Sequence, residues 1–116
     1  MLLHPGAENV SRPRVEILYF DGCPNHEATR ALVERVAVEL DLDAKTELVE
    51  VSDPQTANAM RFLGSPSVRV DGRDVEPGAE SRTEYVLACR VYRGEHGPSG
   101  QPDERWVRAA LTGGVS

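Results

Sequence analysis

Cysteine and histidine are the side chains in this sequence best suited to nucleophilic attack and proton transfer, and Cys23 and His26 stand together in the stretch DGCPNH at residues 21–26. The apolar run at residues 15–20 predicts a buried strand, and the apolar spacing over residues 28–40 predicts an amphipathic helix. Cys23 is therefore expected at the junction of a strand and a helix. There the helix dipole and unpaired backbone N–H groups favour thiolate over thiol.

His26 follows Cys23 closely enough to donate to its thiolate or to carry its proton. Asp21, Glu27 and the net charge of −6 act against thiolate formation. The alternative is an inert cysteine packed in the core, as many free cysteines are. The position of Cys23, after a glycine turn and before a proline at a helix start, favours the reactive thiol.

The composition indicates a single soluble domain. The 116 residues are 40% hydrophobic and 28% charged, as in ordinary globular proteins. We expect a flexible arm at residues 1–13 and no function in it. No stretch resembles a membrane span or a signal peptide, so a cytoplasmic location is expected. The net charge of −6, without a cluster of basic residues, argues against a nucleic-acid partner. Two cysteines in a reducing compartment indicate a catalytic, redox or metal-binding role.

Capping residues define the predicted helices. Asn25 is the expected N-cap of the first helix. A second strand is predicted at residues 45–51, and Ser52 then caps a second helix, with Gln55 reaching back as in a capping box. This helix is expected to run to about residue 63. Gly64 suits the left-handed position that closes it.

The second half of the chain begins with a proline and a hairpin. Pro66 either ends the preceding helix or forms a cis peptide bond with Ser65. Asp71-Gly72 between alternating residues predicts a hairpin of two antiparallel strands. Residues 103–111 predict a closing amphipathic helix.

Cys89 lies in a stretch, residues 80–93, that the sequence leaves open between two structures. Residues 81–84 have the pattern of a capping box, which predicts a short helix. Residues 85–92 are equally compatible with an extended strand. The position of Cys89 relative to Cys23 therefore stays undetermined by sequence.

The order of these elements, with Cys-x-x-His at a helix start and a proline before the hairpin, resembles the thioredoxin-like superfamily over residues 15–111. The resemblance implies an α/β fold, a three-layer α/β/α sandwich with a central mixed four-stranded sheet. The domain would span residues 14–112, with an insertion at about residues 77–101. It also implies that Cys23 is the nucleophile and that Ser65 and Pro66 form a neighbouring loop that binds substrate.

The motif differs from that of thioredoxins, which have a second cysteine at the position of His26. Cys89 is the candidate to replace it as the resolving cysteine. One cysteine at a helix start and another far downstream also resemble the core of alkylmercury lyases. Those enzymes use two cysteines and an aspartate, and His26 occupies the position of that aspartate.

Three functions follow as alternatives. The first is a thiol–disulfide oxidoreductase without a cofactor, acting on a protein or small-molecule thiol or disulfide through Cys23, His26 and Cys89. The second is a soft-metal or organomercurial site with Cys23 and Cys89 as ligands and His26 or His96 as further ligands. The third is a non-catalytic interaction scaffold. An exposed strand edge would also permit a homodimer.

Overall fold

The computed structural model describes residues 13–113, so the predicted arm at residues 1–13 lies outside the described residues except for Pro13. The elements, in chain order, are β1 (Arg14–Tyr19), α1 (His26–Glu39), β2 (Lys45–Glu50), α2 (Pro54–Ala59), β3 (Ser67–Val70), β4 (Arg73–Asp74), a 3-10 helix (Ala79–Ser81), β5 (Tyr92–Gly94), β6 (Gly97–Ser99) and α3 (Glu104–Leu111). Within this part of the chain, no helix has the length and apolar character needed to cross a membrane.

A mixed sheet of four strands has the order β2-β1-β3-β4. β1 runs parallel to β2 and antiparallel to β3, and β3 runs antiparallel to β4. The α/β class and the mixed four-stranded sheet are therefore confirmed. The predicted hairpin is confirmed as well, since Asp71 and Gly72 join β3 to β4 with positive φ angles of 52° and 86°, as the tight turns of hairpins require.

The apolar core lies in two clusters that meet at β1. Ile17 and Leu18 are consecutive, so their side chains point to opposite faces of the sheet. The cluster with Ile17 includes Val33 of α1 and Val107 of α3. The cluster with Leu18 includes Ala57 of α2. Apolar residues of the helices are thus packed against both faces of this strand.

The apolar spacing over residues 28–40 predicts Ala28 on the inward face of α1, and this part of the prediction is wrong. Ala28 is exposed and Thr29 is buried in its place. The buried set has the spacing of one helical face, and comprises Thr29, Val33, Val36 and Ala37. Asn25 occupies the N-cap position, but its side chain makes no capping hydrogen bond.

The predicted limits of α2 are wrong at both ends. The cap is Asp53, whose Oδ1 accepts from the Thr56 amide at 2.7 Å, whereas Ser52 precedes it. The helix ends at Ala59 because Arg61 takes the left-handed conformation, with φ 56°. The Phe62 amide then donates to Ala57 O at 2.8 Å, which is the hydrogen bond of a Schellman motif.

Residues 77–101, the predicted insertion, contain little regular structure. After the 3-10 helix the chain is extended or irregular as far as β5, so the predicted alternative of a short helix from residues 81–84 is wrong. β5 and β6 form a hairpin. The closing helix is confirmed, with Asp103 as its N-cap, since its side chain accepts from the Arg105 amide at 2.8 Å.

Candidate functional site

Cys23 lies at the junction between β1 and α1, as predicted. Its amide donates to Phe20 O at 3.1 Å, which closes a turn between the strand and the helix. Gly22 within this turn has a φ of 96°, a conformation that side chains disfavour. Cys23 is a free cysteine and is 5% exposed. The thiol is therefore held at the mouth of α1 with little access to solvent.

The His26 ring is hydrogen-bonded to the turn that carries Cys23. Nδ1 is 3.0 Å from Cys23 O, and because a carbonyl only accepts, Nδ1 is the donor. Nε2 is 3.4 Å from a carboxylate oxygen of Glu27. The ring also stacks on Tyr19, with 4.3 Å between the ring centroids. None of these contacts is with the Cys23 sulfur, so the role of His26 in proton transfer stays a prediction.

The peptide bond between Ser65 and Pro66 is cis, in agreement with the second of the two interpretations of this proline. Both residues are buried. They precede β3, in which Ser67 pairs with Leu18 of β1. Because β1 and β3 are antiparallel, the start of β3 lies beside the end of β1. The cis-proline loop and the turn that carries Cys23 are therefore at the same end of the sheet.

Cys89 is brought to this end of the sheet by an isolated parallel β-bridge with Ser65. The Ser65 amide donates to Ala88 O at 2.8 Å, and Ser65 O accepts from the Arg90 amide at 2.9 Å. Cys89 is free and exposed. The sequence left the position of this cysteine open. The structure places both cysteines, His26 and the cis-proline loop at one end of the sheet.

A buried arginine that the sequence analysis missed anchors the Cys89 segment. The Arg90 side chain is 1% exposed, and its guanidinium donates to Asp74 at 2.8 Å and to Glu76 at 2.7 Å. It also donates to Ser67 Oγ at 2.8 Å. Burial alone would lower the pKa of Arg90, but the hydrogen bonds to Asp74 and Glu76 leave it above its ordinary value. The guanidinium is therefore a permanent buried cation.

Tyr92 links the segment around Arg90 to the cis-proline loop. Its hydroxyl donates to Pro66 O at 2.5 Å, and the Arg90 guanidinium lies over its ring, 4.3 Å from the centroid. Burial raises the pKa of the Tyr92 phenol above its ordinary value, so the hydroxyl remains a donor. Residues 89–93 alternate between exposed and buried in the structure. Because the inward residues are Arg90 and Tyr92, the sequence has no alternating apolar pattern here that could have predicted this.

The described residues contain no group of three or more histidine, cysteine, aspartate or glutamate side chains arranged to hold a metal ion. The predicted further ligands, His26 and His96, therefore do not join the two cysteines in such a group. His96 lies in the β5–β6 turn and lines a separate open cavity of about 420 Å³. Another cavity, of about 840 Å³, borders the β3–β4 hairpin and includes Arg73 in its wall.

Comparison of the chain with models of known protein families gives no match, and neither does comparison with curated proteins. Function is therefore inferred from the geometry of the described residues. The observation with most weight is the bridge between Cys89 and Ser65, since it brings the second thiol to the end of the sheet where Cys23 lies.

Proposed function

We propose that the fold is the three-layer α/β/α sandwich of the thioredoxin-like superfamily. The support is the strand order β2-β1-β3-β4 with one parallel pair and the cis-proline before β3. The two core clusters give further support, since one contains residues of α1 and α3 and the other a residue of α2. Consecutive residues of β1 contribute to the two clusters, which is the arrangement expected of helices on both faces of a sheet.

Within this fold, the protein is a thiol–disulfide oxidoreductase that uses Cys23 as nucleophile and Cys89 as resolving cysteine. The observation that carries this proposal is the placement of two free cysteines at the same end of the sheet, the second of them through its bridge to Ser65. A thiol at a strand-to-helix junction suits nucleophilic attack. A second thiol nearby suits the release of the bound substrate.

The reaction proceeds in two exchanges. The Cys23 thiolate attacks one sulfur of a substrate disulfide, a Cys23–substrate disulfide forms, and the other substrate sulfur leaves as a thiolate that takes a proton. The Cys89 thiolate then attacks the Cys23 sulfur and the second substrate thiolate leaves. The substrate disulfide has gained two electrons and two protons, and the protein holds a Cys23–Cys89 disulfide. A dithiol reductant returns it to the reduced form.

The neighbouring residues support these two thiols. His26 holds the Cys23 turn through the carbonyl of Cys23 itself, and its transfer of a proton to the leaving sulfur is part of the proposal. The cis-proline loop holds Cys89 through Ser65. Contact of the substrate with Ser65 and Pro66 was predicted from the family resemblance and is not needed for either exchange.

The test is the mass of the reduced protein after reaction with bis(2-hydroxyethyl) disulfide. The wild-type chain is expected to become lighter by two hydrogens as the internal disulfide forms. Cys89→Ser is expected to retain 2-mercaptoethanol on Cys23, because the resolving thiol is missing. A disulfide requires the two Cα atoms to approach within about 7 Å, so this experiment also tests their separation.

Two results would overturn the proposal. One is a wild-type protein that keeps 2-mercaptoethanol on both thiols and never loses two hydrogens. The other is one equivalent of copper or mercury on protein purified without chelator, because the two thiolates would then be ligands of a soft metal. A Cys23→Ser variant with unaltered activity would instead indicate an interaction scaffold.

A further inference from the structure

Residues 86–90, here called the covering segment, lie along residues 62–65 and are hydrogen-bonded to them. The Val86 amide donates to Phe62 O at 2.9 Å. Two residues further on, Ala88 O accepts from the Ser65 amide at 2.8 Å, and the Arg90 amide donates to Ser65 O at 2.9 Å. The covering segment therefore takes the place that an added β-strand would occupy beside the cis-proline loop.

The covering segment therefore already forms the backbone hydrogen bonds that a bound peptide would need at the cis-proline loop. An extended peptide binds to a strand or loop edge through free N–H and C=O groups. At Ser65 both of these groups bond within the chain, and the next residue is Pro66, which has no N–H to offer. An incoming peptide would find no free pair of backbone groups on this loop.

We propose that the thiol pair acts on small, low-molecular-weight disulfides and excludes extended polypeptides, because the covering segment fills the strand-pairing position beside Ser65 of the cis-proline loop. This inference rests on the proposed oxidoreductase function and adds the class of substrate. The limited exposure of Cys23, at 5%, supports it independently, since a small disulfide needs less open surface than a folded or extended chain.

The covering segment is firmly anchored. Its last residue, Arg90, is held in the interior by Asp74 and Glu76. The covering segment also packs closely against the backbone of Gly64. A Cβ added at Gly64 would lie 2.9 Å from Arg90 Cβ and 3.2 Å from Ala88 O. Displacement of the segment by a competing peptide would have to break these contacts together.

The experiment compares two disulfide probes that share a 2-mercaptoethanol half. The small probe is bis(2-hydroxyethyl) disulfide, and the large probe is an unstructured ten-residue peptide whose single cysteine is disulfide-linked to 2-mercaptoethanol. The rate of formation of the internal Cys23–Cys89 disulfide is followed by mass. We expect the small probe to react at least about tenfold faster, the factor that corresponds to about one lost strand-pairing hydrogen bond.

A matched pair of variants at Val86 tests the cause. Val86→Pro removes the amide that donates to Phe62 O, and the side chain is 46% exposed, so little packing is lost. The peptide rate is expected to rise about three- to tenfold, with the rate of the small probe unchanged. Val86→Ala keeps the amide and is expected to behave as wild type.

The outcomes separate the two proposals. Equal rates for both probes on the wild-type protein would overturn the inference about substrate size and leave the oxidoreductase function standing. Reaction with neither probe would overturn the oxidoreductase function and this inference with it. The wild-type comparison decides the question even if Val86→Pro fails to fold, which circular dichroism would show.

Discussion

Cys89 and Ser65 are paired in a parallel β-bridge, with the Ser65 amide and carbonyl bonded to the residues on either side of Cys89. Through the antiparallel register of β1 and β3, this bridge links the second thiol to the end of the strand that leads to Cys23. The position of Cys89 therefore depends on the contacts that hold the segment around it.

Gly64→Ala is expected to destabilise the fold more than Gly72→Ala. Both glycines have positive φ, 121° and 86°, so both substitutions are strained. Only at Gly64 would the new Cβ meet the covering segment, 2.9 Å from Arg90 Cβ, whereas nothing lies within 4 Å at Gly72. We expect a loss of about 1 kcal/mol in the free energy of unfolding at Gly72 and about 3 kcal/mol at Gly64. Urea denaturation measures both, and equal losses would contradict the close approach.

Arg90→Met is expected to lower the free energy of unfolding by about 3–5 kcal/mol. It leaves the largely buried carboxylate of Asp74 without its cation, and it leaves Glu76 with Arg82 alone, 3.1 Å away. Arg73→Met is the matched control. Arg73 is exposed, so its replacement should change stability by no more than about 0.5 kcal/mol. Adding Asp74→Asn and Glu76→Gln to Arg90→Met should recover part of the loss. No recovery would mean that the arginine acts through packing alone.

The sequence predicted the parts of this structure that depend on near neighbours. The strand, glycine turn and helix around Cys23 are encoded within a short stretch, and Asp71-Gly72 specifies its hairpin through backbone conformation. The end of α2 was predicted wrongly at Gly64 because local capping rules favour glycine there. In the structure Arg61 takes the left-handed position, and Gly64 is needed for its approach to Arg90.

The anchor of the Cys89 segment was not predictable in the same way. Arg90 contacts Asp74 and Glu76, which lie 16 and 14 residues earlier in the chain and outside the reach of local patterns. Charged residues are also ordinarily assigned to the surface. Hydrophobic periodicity therefore gave no signal for a buried ion pair. The predicted site residues Cys23, His26, Cys89, Ser65 and Pro66 could be identified individually, but their shared location required the tertiary structure.

Tyr92→Phe is expected to cost about 1–2 kcal/mol, because it removes the hydrogen bond to Pro66 O and leaves a buried carbonyl without that donor. It should also change the response to alkali. Burial raises the pKa of the folded phenol above its ordinary 10.0, so only the unfolded chain ionises near pH 10. Wild-type stability should therefore fall as the pH rises above 10, and this part of the decline should be absent in Tyr92→Phe. Urea midpoints from pH 8 to 11 measure the difference.

His26→Phe and His26→Asn distinguish positioning of the Cys23 turn from proton transfer. Phe retains a ring to stack on Tyr19 but cannot donate to Cys23 O, whereas Asn retains a donor and cannot carry a proton. Because Nδ1 is bonded to that carbonyl, we expect Phe to slow alkylation of Cys23 about fivefold and Asn to slow it less. Iodoacetamide labelling in a Cys89→Ser background measures the rates. Equal slowing by both variants would favour proton transfer.

Asp103→Asn tests the charge that caps α3. Asp103 accepts from the Arg105 amide and from the Glu95 amide, at 2.8 and 2.7 Å, and its side chain is 6% exposed. Hydrogen bonds from Arg105, foremost among these contacts, lower the pKa of the carboxyl from 3.8 to about 2. Asparagine keeps one acceptor oxygen at the cap. It removes the charge and replaces the other oxygen by an NH2 group, which cannot accept a hydrogen bond.

The pH dependence of this variant follows from the direction of the shift. A carboxyl with a lowered pKa in the folded state stabilises the fold above its unfolded pKa of 3.8 and loses that contribution as the pH falls through its folded pKa. The wild-type protein should therefore be more stable than Asp103→Asn at pH 6, and the difference should shrink below about pH 4 and be small near pH 2. Urea midpoints at these three pH values measure it. A difference that stays constant down to pH 2 would show that the lost hydrogen-bond geometry, and not the charge, is responsible.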